Sequence, residues 1–289
     1  MNDLKGWWKR EEIDSNVWEP SFIKLFELII VDCDKLVSFP TCPRLEKLRL
    51  HGVNKELQLS LGKEEGLIKL REVKIDNLDC FESLRTQSLT SLCILKNNEV
   101  ESFSELGETL FKSCFTLKRL SITECSSLRS LNGRWWKHLN ALELLELSSL
   151  PQLTSLGNND ADDNDVDEND GTIPWRSLDR SLRWMRFIGL GIKILPKGMQ
   201  YLTSLDQLLL GWCNDLECLP EWISCLSSLQ ILRIYGCKKL SLLSRPLRDL
   251  TSLRILHVRS CPLVVAKRFL DPDGDDWVNL RHIATIQIC

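Results

Sequence analysis

The apolar positions of the chain follow one pattern that returns many times. Its clearest copy occupies residues 229–243 and reads LQILRIYGCKKLSLL. Within it, residues 231–235 alternate, with Leu232 and Ile234 on one side, which is the period of a short β-strand with one buried face. The other apolar residues of the copy are spaced by turns and do not continue that strand. Each copy therefore predicts a strand followed by a bend.

Ten copies of the strand core align along the sequence. They recur about every 19 to 28 residues, apart from one interval of 40. The cores are Leu25/Leu28/Ile30, Leu45/Leu48/Leu50, Leu70/Val73/Ile75, Leu89/Leu92/Ile94, Leu117/Leu120/Ile122, Leu142/Leu145/Leu147, Leu182/Met185/Phe187, Leu205/Leu208/Leu210, Leu229/Leu232/Ile234 and Leu253/Leu256/Val258. This period is typical of leucine-rich repeats, which bury their apolar edges by stacking. We predict an α/β solenoid, a leucine-rich-repeat horseshoe with a parallel concave sheet and a convex side of loops and short helices.

The repeats divide the 289 residues into five segments. These are a partial repeat and connection at 1–20, repeats 1–6 at 21–157, an acidic disordered loop at 158–172, repeats 7–10 at 173–262, and a C-terminal capping segment at 263–289. Amphipathic stretches ahead of several strands predict one or two convex helical turns each. Because the first residues match the back half of a repeat, the sequence predicts a fragment of a longer protein.

The net charge of −3 hides an uneven distribution. Residues 158–170 hold seven acids and no base, so the rest of the chain carries about +4, by −3 plus 7. The low apolar content of this run predicts a solvated tether. An alternative is that it folds back over a basic concave face at low salt.

Five of the twelve cysteines share one repeat position, directly after the strand. They are Cys33, Cys125, Cys213, Cys237 and Cys261. We expect them to point inward as free thiols that reach backbone carbonyls at the bend. No Asn-x-Ser/Thr sequon occurs and no apolar run approaches the ~18 residues of a membrane span. The sequence thus predicts a cytoplasmic location without membrane contact.

Catalytic and metal-binding patterns are weak. The four histidines and the scattered carboxylates form no triad order and no paired-acid motif. Cys213, Cys218 and Cys225 are spaced more widely than the cysteine pairs of zinc sites. No phosphate-binding loop of the GxxxxGK[ST] type is present. We therefore predict no enzyme activity, no metal and no cofactor.

The concave face of repeats 7–10 is the predicted binding surface. Alternation turns these side chains outward, and aromatic and arginine side chains dominate protein-binding hot spots. The predicted protein-binding residues are Trp184, Arg186, Gln207, Leu209, Trp212, Arg233, Tyr235, His257 and Arg259. A solvated, variable strand face is the alternative. The absence of a continuous Lys/Arg stripe argues against nucleic acid.

Two stretches resemble a known family. The repeat at 205–220 and the last residues are similar to the leucine-rich-repeat region of plant intracellular nucleotide-binding (NLR) disease-resistance receptors, coiled-coil subclass. The matching terminal residues are Cys261-Pro262, Lys267-Arg268, Gly274-Asp275-Asp276-Trp277, His282-Ile283, Ile286 and Ile288.

The resemblance implies a sensor and autoinhibitory region that binds a pathogen effector or a guarded host protein. It would also contact the receptor's own nucleotide-binding domain, and any nucleotide would bind that upstream domain. The alternative is the substrate-recognition array of a ubiquitin-ligase adaptor of the F-box type. The terminal motif at Gly274–Trp277 and His282-Ile283 argues against this alternative. An extracellular receptor or inhibitor would need an L-x-G-x-I-P signature that the repeats lack.

Overall fold

The computed structural model describes residues 22–40, 42–55, 57, 69–79, 87–104, 106–157, 173–241, 247–262 and 280–288. The predicted partial repeat at 1–20 and the acidic loop at 158–172 lie outside the described residues. So does most of the predicted capping segment at 263–289, including Trp277. The description of the fold therefore rests on the repeats themselves and on the last strand.

One sheet organises the described chain. Its eleven strands are β1 Glu27–Cys33, β2 Lys47–Val53, β3 Glu72–Ile75, β4 Ser91–Leu95, β5 Arg119–Thr123, β6 Leu144–Leu150, β7 Trp184–Leu190, β8 Gln207–Gly211, β9 Ile231–Tyr235, β10 Ile255–Arg259 and β11 Thr285–Ile288. They lie side by side in chain order, and each pairs in parallel with its neighbours. This arrangement confirms the predicted parallel leucine-rich-repeat solenoid.

The register of the sheet aligns the predicted core positions. Leu208 faces Leu232 across β8 and β9, and Leu232 faces Leu256 across β9 and β10. All three side chains are fully buried. Parallel strands lie about 4.8 Å apart, so each row of apolar side chains stacks continuously along the solenoid. Only the first core is looser, because Leu25 and Leu28 in β1 are half-buried.

The final strand extends this pattern beyond the ten copies. β11 pairs with β10, placing Ile286 opposite Leu256 and Ile288 opposite Val258. Ile283 is buried immediately before the strand. The prediction that these isoleucines supply a last strand is confirmed.

Short helical turns cover the other side of the core. Helix α1 spans Leu106–Phe111, and helix α2 spans Trp175–Leu178. Three predicted convex turns are 3-10 helices: Arg134–His138, Lys197–Tyr201 and Glu221–Cys225. The repeat leaves few residues between strands, and a 3-10 turn reaches farther per residue than an α-turn. The short α2 was not predicted; it lies in the 40-residue interval, directly after the acidic loop predicted at 158–172.

A left-handed residue ends most of the strands. Nine residues at the equivalent position have positive φ: Asp32, Gly52, Lys96, Glu124, Ser149, Gly189, Trp212, Gly236 and Ser260. In repeats 8 and 9 their N–H groups continue the ladder, as Trp212 N donates to Tyr235 O at 2.6 Å and Gly236 N to Arg259 O at 2.9 Å. Each interrupts the alternation by one residue without shifting the register, since Cys33 still lies opposite Val53 and Leu150 opposite Leu190. The next side chain therefore points inward.

That bend explains the repeated cysteine. All five cysteines donate from Sγ to the carbonyl two residues before them, at 3.4 Å in Cys33 and Cys125, 3.5 Å in Cys213 and Cys261, and 3.7 Å in Cys237. Asn97 occupies the same position, with Nδ2 donating to Asp76 O at 2.8 Å. All ten described cysteines are free thiols. The predicted carbonyl contacts are confirmed for all five cysteines, and the inward position is confirmed for four of them, since Cys261 is only half-buried.

Candidate functional site

The candidate site lies on the outward face of strands β7–β10. Each strand alternates buried and accessible residues, so this face displays every second side chain. All nine predicted binding residues are on it or on the adjoining bend. Trp184, Arg186, Trp212 and Arg259 are exposed, while Gln207, Leu209, Arg233, Tyr235 and His257 are half-buried. We call these nine residues the basic–aromatic face.

Cross-strand pairing places the site residues in rows. Arg186 lies opposite Leu209, Leu209 opposite Arg233, and Arg233 opposite His257. In the next row Tyr235 lies opposite Arg259. Since neighbouring strands are about 4.8 Å apart, Leu209 fills the gap of about 10 Å between the first two arginines. The sheet thus brings together residues that are more than twenty positions apart in the sequence.

The aromatic part of the face is unusually accessible. Trp184 is 37% exposed and Trp212 is 56% exposed, although large apolar side chains are usually buried. Trp212 also holds φ at +49°, a conformation that costs an L-residue roughly 1–2 kcal/mol. Most equivalent bends carry glycine or a small or charged residue instead. The bend thus presents the Trp212 indole to solvent at a cost in backbone strain.

The charges on the sheet differ between its two ends. On β1–β5, basic residues pair with carboxylates: Arg49 Nη2 lies 3.4 Å from Glu27 Oε1, and Glu72 contacts both Lys47 and Arg119 at 3.5 Å. Arg186, Arg233 and Arg259 have no carboxylate partner among the described residues. The part of the chain that the structure describes therefore supplies no carboxylate that neutralises these three arginines.

The neighbours of these arginines explain why they stay unpaired. Glu146 lies opposite Arg186 in register, but its Oε2 accepts a hydrogen bond from Ser121 Oγ at 3.3 Å. Arg233 Nη1 donates to the neutral amide oxygen of Gln207 at 3.5 Å. Partial burial, followed by the charges of Arg233 and Arg259, lowers the pKa of His257. His257 is therefore mostly neutral at pH 7 and adds little charge to the face.

Sequence reasoning missed one residue of the site, Gly236. A Cβ built on it would lie 2.7 Å from Cδ1 and 2.9 Å from Nε1 of Trp212. The indole therefore covers this glycine, which leaves the room that the ring needs. A glycine one repeat after an aromatic residue, at the same position of the bend, is the signal that could have revealed the contact.

The described residues show no other type of site. Among them, no three or more His, Cys, Asp or Glu residues are grouped so that they could hold a metal ion. Within the same part of the chain, no helix has the length and apolar character needed to cross a membrane. A polar hollow of about 600 Å³ lies beside β9–β11, lined by residues that include Ser227, Ser252, Arg254 and His282. Two of its hydroxyls already donate to backbone carbonyls, which indicates a structural role.

Comparison with known proteins adds solved structures of low identity. An internalin from Listeria monocytogenes aligns at a TM-score of 0.49 and 17% identity, covering 92% of this chain and 82% of that chain. TLR13 in a complex with ssRNA13 aligns at a TM-score of 0.42 and 20% identity, covering 83% of this chain and 42% of that chain. No protein-family model and no curated protein matches the sequence. The parallel sheet and its repeat register define the class of the chain: it is a leucine-rich-repeat solenoid.

Proposed function

We propose that this chain is the protein-recognition region of a plant intracellular NLR disease-resistance receptor of the coiled-coil subclass. The observation that carries a recognition role is the basic–aromatic face, where two exposed tryptophans and three arginines lie on one sheet and no described carboxylate pairs with these arginines. Tryptophan, tyrosine and arginine are the residues most enriched among binding hot spots. The partner is a pathogen effector or a guarded host protein.

The receptor assignment rests on the sequence. The terminal residues Cys261-Pro262, Gly274–Trp277 and His282-Ile283 resemble the end of that receptor family. In such a parent the repeats also restrain the receptor's own nucleotide-binding domain, and nucleotide binds there, in a domain upstream of the repeats. The free thiols of the described cysteines support a reducing, cytoplasmic location.

Recognition on this face requires binding without chemistry. A flat parallel sheet holds its side chains at fixed spacing, so a partner meets a surface that is already ordered. Strain at Trp212 supports the same function, because it presents the indole outward at a cost to stability. The proposed role therefore needs no cofactor and no metal.

The test is capture of partners by the immobilised chain. The nucleotide-binding domain of the parent and proteins of a plant extract are offered to the wild type and to the Trp184→Ala, Arg233→Ala double variant. A matched control, Arg49→Ala with Arg119→Ala, changes the ion-paired end of the same sheet face. Circular dichroism and urea unfolding establish that all three proteins fold.

We expect a partner, identified by mass spectrometry, that binds the wild type and the control but not the Trp184/Arg233 variant. Equal capture by all three proteins would place recognition elsewhere on the solenoid and overturn the assignment of the site. Loss of the partner in the control alone would move the site to β1–β5.

A further inference from the structure

We propose that the basic–aromatic face binds an acidic segment of its protein partner, one whose carboxylates alternate with an aromatic or aliphatic side chain. The inference rests on the recognition function proposed above and specifies the chemistry of the ligand. It follows from the charges that the sheet leaves unpaired, from their spacing, and from the apolar surface between them.

The first step is the contrast between the two ends of the sheet. Strands β1–β5 carry both signs of charge and pair most of them, for example Lys47 with Glu72 and Arg49 with Glu27, although Lys74 on β3 has no ion pair among the described residues. The outward positions of β7–β10 carry Arg186, Arg233 and Arg259 and no carboxylate. A surface whose own charges are already paired gains little from a charged ligand, whereas unpaired arginines attract carboxylates and orient them in bidentate geometry. Charge complementarity therefore selects an acidic partner.

The second step is the spacing of the arginines. Arg186 and Arg233 lie in one row, two strands apart, so their backbones are separated by about 10 Å. An extended peptide advances about 3.3 Å per residue and turns every second side chain to the same face, so carboxylates four positions apart lie about 13 Å apart, with one other side chain between them on that face. The long, flexible arginine side chains can bridge this distance. A segment that crosses the strands can thus place one carboxylate at each arginine. Arg259 lies one strand farther on and one row along, beside Tyr235.

The third step is the apolar surface that separates the charges. Leu209 lies between Arg186 and Arg233, and Ile231 and Tyr235 flank Arg233 on its own strand. All three are half-buried and remain accessible from the outward face. A side chain between the two carboxylates of the ligand would rest on Leu209. Its burial would exclude water and strengthen both ion pairs, because charges attract more strongly where the effective dielectric constant is lower.

The two exposed tryptophans lie on either side of the row that contains Arg186, Leu209 and Arg233, where they can contact the ligand. Trp184 precedes Arg186 by two residues on β7, and Trp212 follows β8 at the bend. Since the indole of Trp212 covers Gly236, the ring is held in place before any ligand arrives. A side chain held in its bound position loses little entropy on binding. An aromatic or aliphatic side chain of the ligand would pack beside these rings.

The same face is less suited to nucleic acid. Proteins that follow a phosphate backbone use a continuous groove of cations. Here Leu209 separates Arg186 from Arg233, and the outward positions of β7–β10 include no lysine. An acidic peptide can place an uncharged residue over the apolar position between the arginines. A nucleic acid carries a phosphate at every nucleotide and cannot do so. Binding of a nucleic acid is nevertheless an explicit outcome of the test.

The test measures fluorescence anisotropy of labelled probes added to the full chain. The acidic probe is a peptide that repeats Glu-Gly-Phe-Gly, and the neutral probe repeats Gln-Gly-Phe-Gly. A third probe is a single-stranded oligouridine of similar length. Two variants are compared with the wild type: Arg186→Gln with Arg233→Gln, and the control Arg49→Gln with Arg119→Gln, which removes the same charge from the ion-paired end.

We expect the acidic probe to bind the wild type and the control, with an affinity that falls as the salt concentration rises. The Arg186/Arg233 variant should bind this probe at least about tenfold more weakly. Removing one partner of a charge pair at an interface weakens binding substantially, because the other charge is left without its partner. The neutral probe should bind more weakly than the acidic one in every protein.

Three results would overturn the proposal: equal binding of the acidic and neutral probes, equal loss in both variants, or tighter binding of oligouridine that disappears in the Arg186/Arg233 variant. The partner-capture experiment separates this failure from failure of the recognition function. If capture still depends on Trp184 and Arg233 while the acidic probe does not bind, recognition stands and only the acidic chemistry is wrong.

Discussion

The indole of Trp212 covers Gly236, and both residues occupy the left-handed bend of successive repeats, with φ values of +49° and +64°. Because the glycine has no side chain, it accommodates a ring that any Cβ at this position would displace. The pair thus combines local backbone strain with a supported, exposed aromatic surface. Trp212 provides the exposed ring at a cost in backbone strain, whereas Gly236 leaves the room that the ring needs. Substitution of each residue therefore has its own expected effect.

Replacing Trp212 by glycine should weaken partner binding while leaving the fold intact. Glycine adopts positive φ freely, so relief of about 1–2 kcal/mol of strain offsets the lost packing of the ring. We expect the free energy of unfolding, measured in urea, to change by less than about 1 kcal/mol. Binding to the captured partner should fall by about 30-fold or more, the effect of a hot-spot residue worth about 2 kcal/mol.

Trp212→Asn provides a second variant, because asparagine also tolerates the left-handed conformation. It should reproduce both effects. If either variant unfolds like a core mutant, the indole has a structural role and the strain argument is wrong.

Replacing Gly236 by alanine should disturb the same site from the other side. The new Cβ would lie 2.7 Å from Trp212 Cδ1 at a φ of +64°, so the ring must move and the backbone becomes strained. We expect a loss of about 1–2 kcal/mol in the free energy of unfolding. A shift in tryptophan fluorescence should report the movement of the indole.

Gly211→Ala is the matched control for this change. A Cβ at Gly211 would meet its nearest neighbours, in Ile188 and Leu209, at 3.6 Å, which is ordinary van der Waals contact. It should leave the fluorescence unchanged. Equal effects of the two substitutions would show that the contact with Trp212 is not responsible.

Adjacent residues of β9 should differ sharply in their contribution to stability. Leu232 is fully buried between Leu208 and Leu256, so Leu232→Ala removes packing and leaves a cavity that costs about 2–5 kcal/mol. Arg233 points to the outward face and has no ion pair among the described residues, so Arg233→Ala should cost less than about 1 kcal/mol. Urea unfolding of both variants measures the difference. Similar losses would contradict the assigned orientation of the strand.

The ring of His257 should titrate below the ordinary histidine value. Partial burial lowers its pKa, and the charges of Arg233 and Arg259 lower it further. Arg233→Gln should therefore raise the pKa of His257 in an NMR titration, whereas Arg49→Gln on the distant β2 should not. An unchanged pKa in the Arg233 variant would show that this charge does not reach the imidazole.

The same group links stability to pH. The unfolded chain binds a proton at His257 at a higher pH than the folded chain does, so unfolding takes up a proton in the interval between the two pKa values. The contribution of His257 therefore makes the folded state less stable as the pH falls below about 6.5. His257→Gln should reduce this part of the pH dependence.

The cysteines should differ in reactivity according to their place in the repeat. Cys225 is exposed at the end of a 3-10 turn, whereas burial raises the pKa of the Cys125 thiol to about 11. Since the thiolate is the reactive form, iodoacetamide at neutral pH should modify Cys225 first and Cys125 only after unfolding in urea. Peptide mass spectrometry resolves the two sites. Early modification of Cys125 would contradict its buried position.

Much of this fold could be predicted from the sequence because the signal is periodic and local. The spacing in Leu229/Leu232/Ile234 identifies the buried side of β9 without reference to any other repeat, and the interval to Leu253 identifies the next strand. The inward position of Cys237 also follows from its recurrence. The distinction between α-helix and 3-10 helix on the convex side did not follow, because it depends on the distance that each connection must span.

The sequence by itself determined the repeat architecture, the order of the strands and the alternation that turns one set of side chains outward on β7–β10. Only the tertiary structure decided how those side chains are related: which basic residues of the sheet have a carboxylate partner, and that Trp212 rests on Gly236. The physical reason is range. Alternation arises between neighbours in the chain, whereas these ion pairs and the ring contact join residues one or two repeats apart that the parallel register brings together.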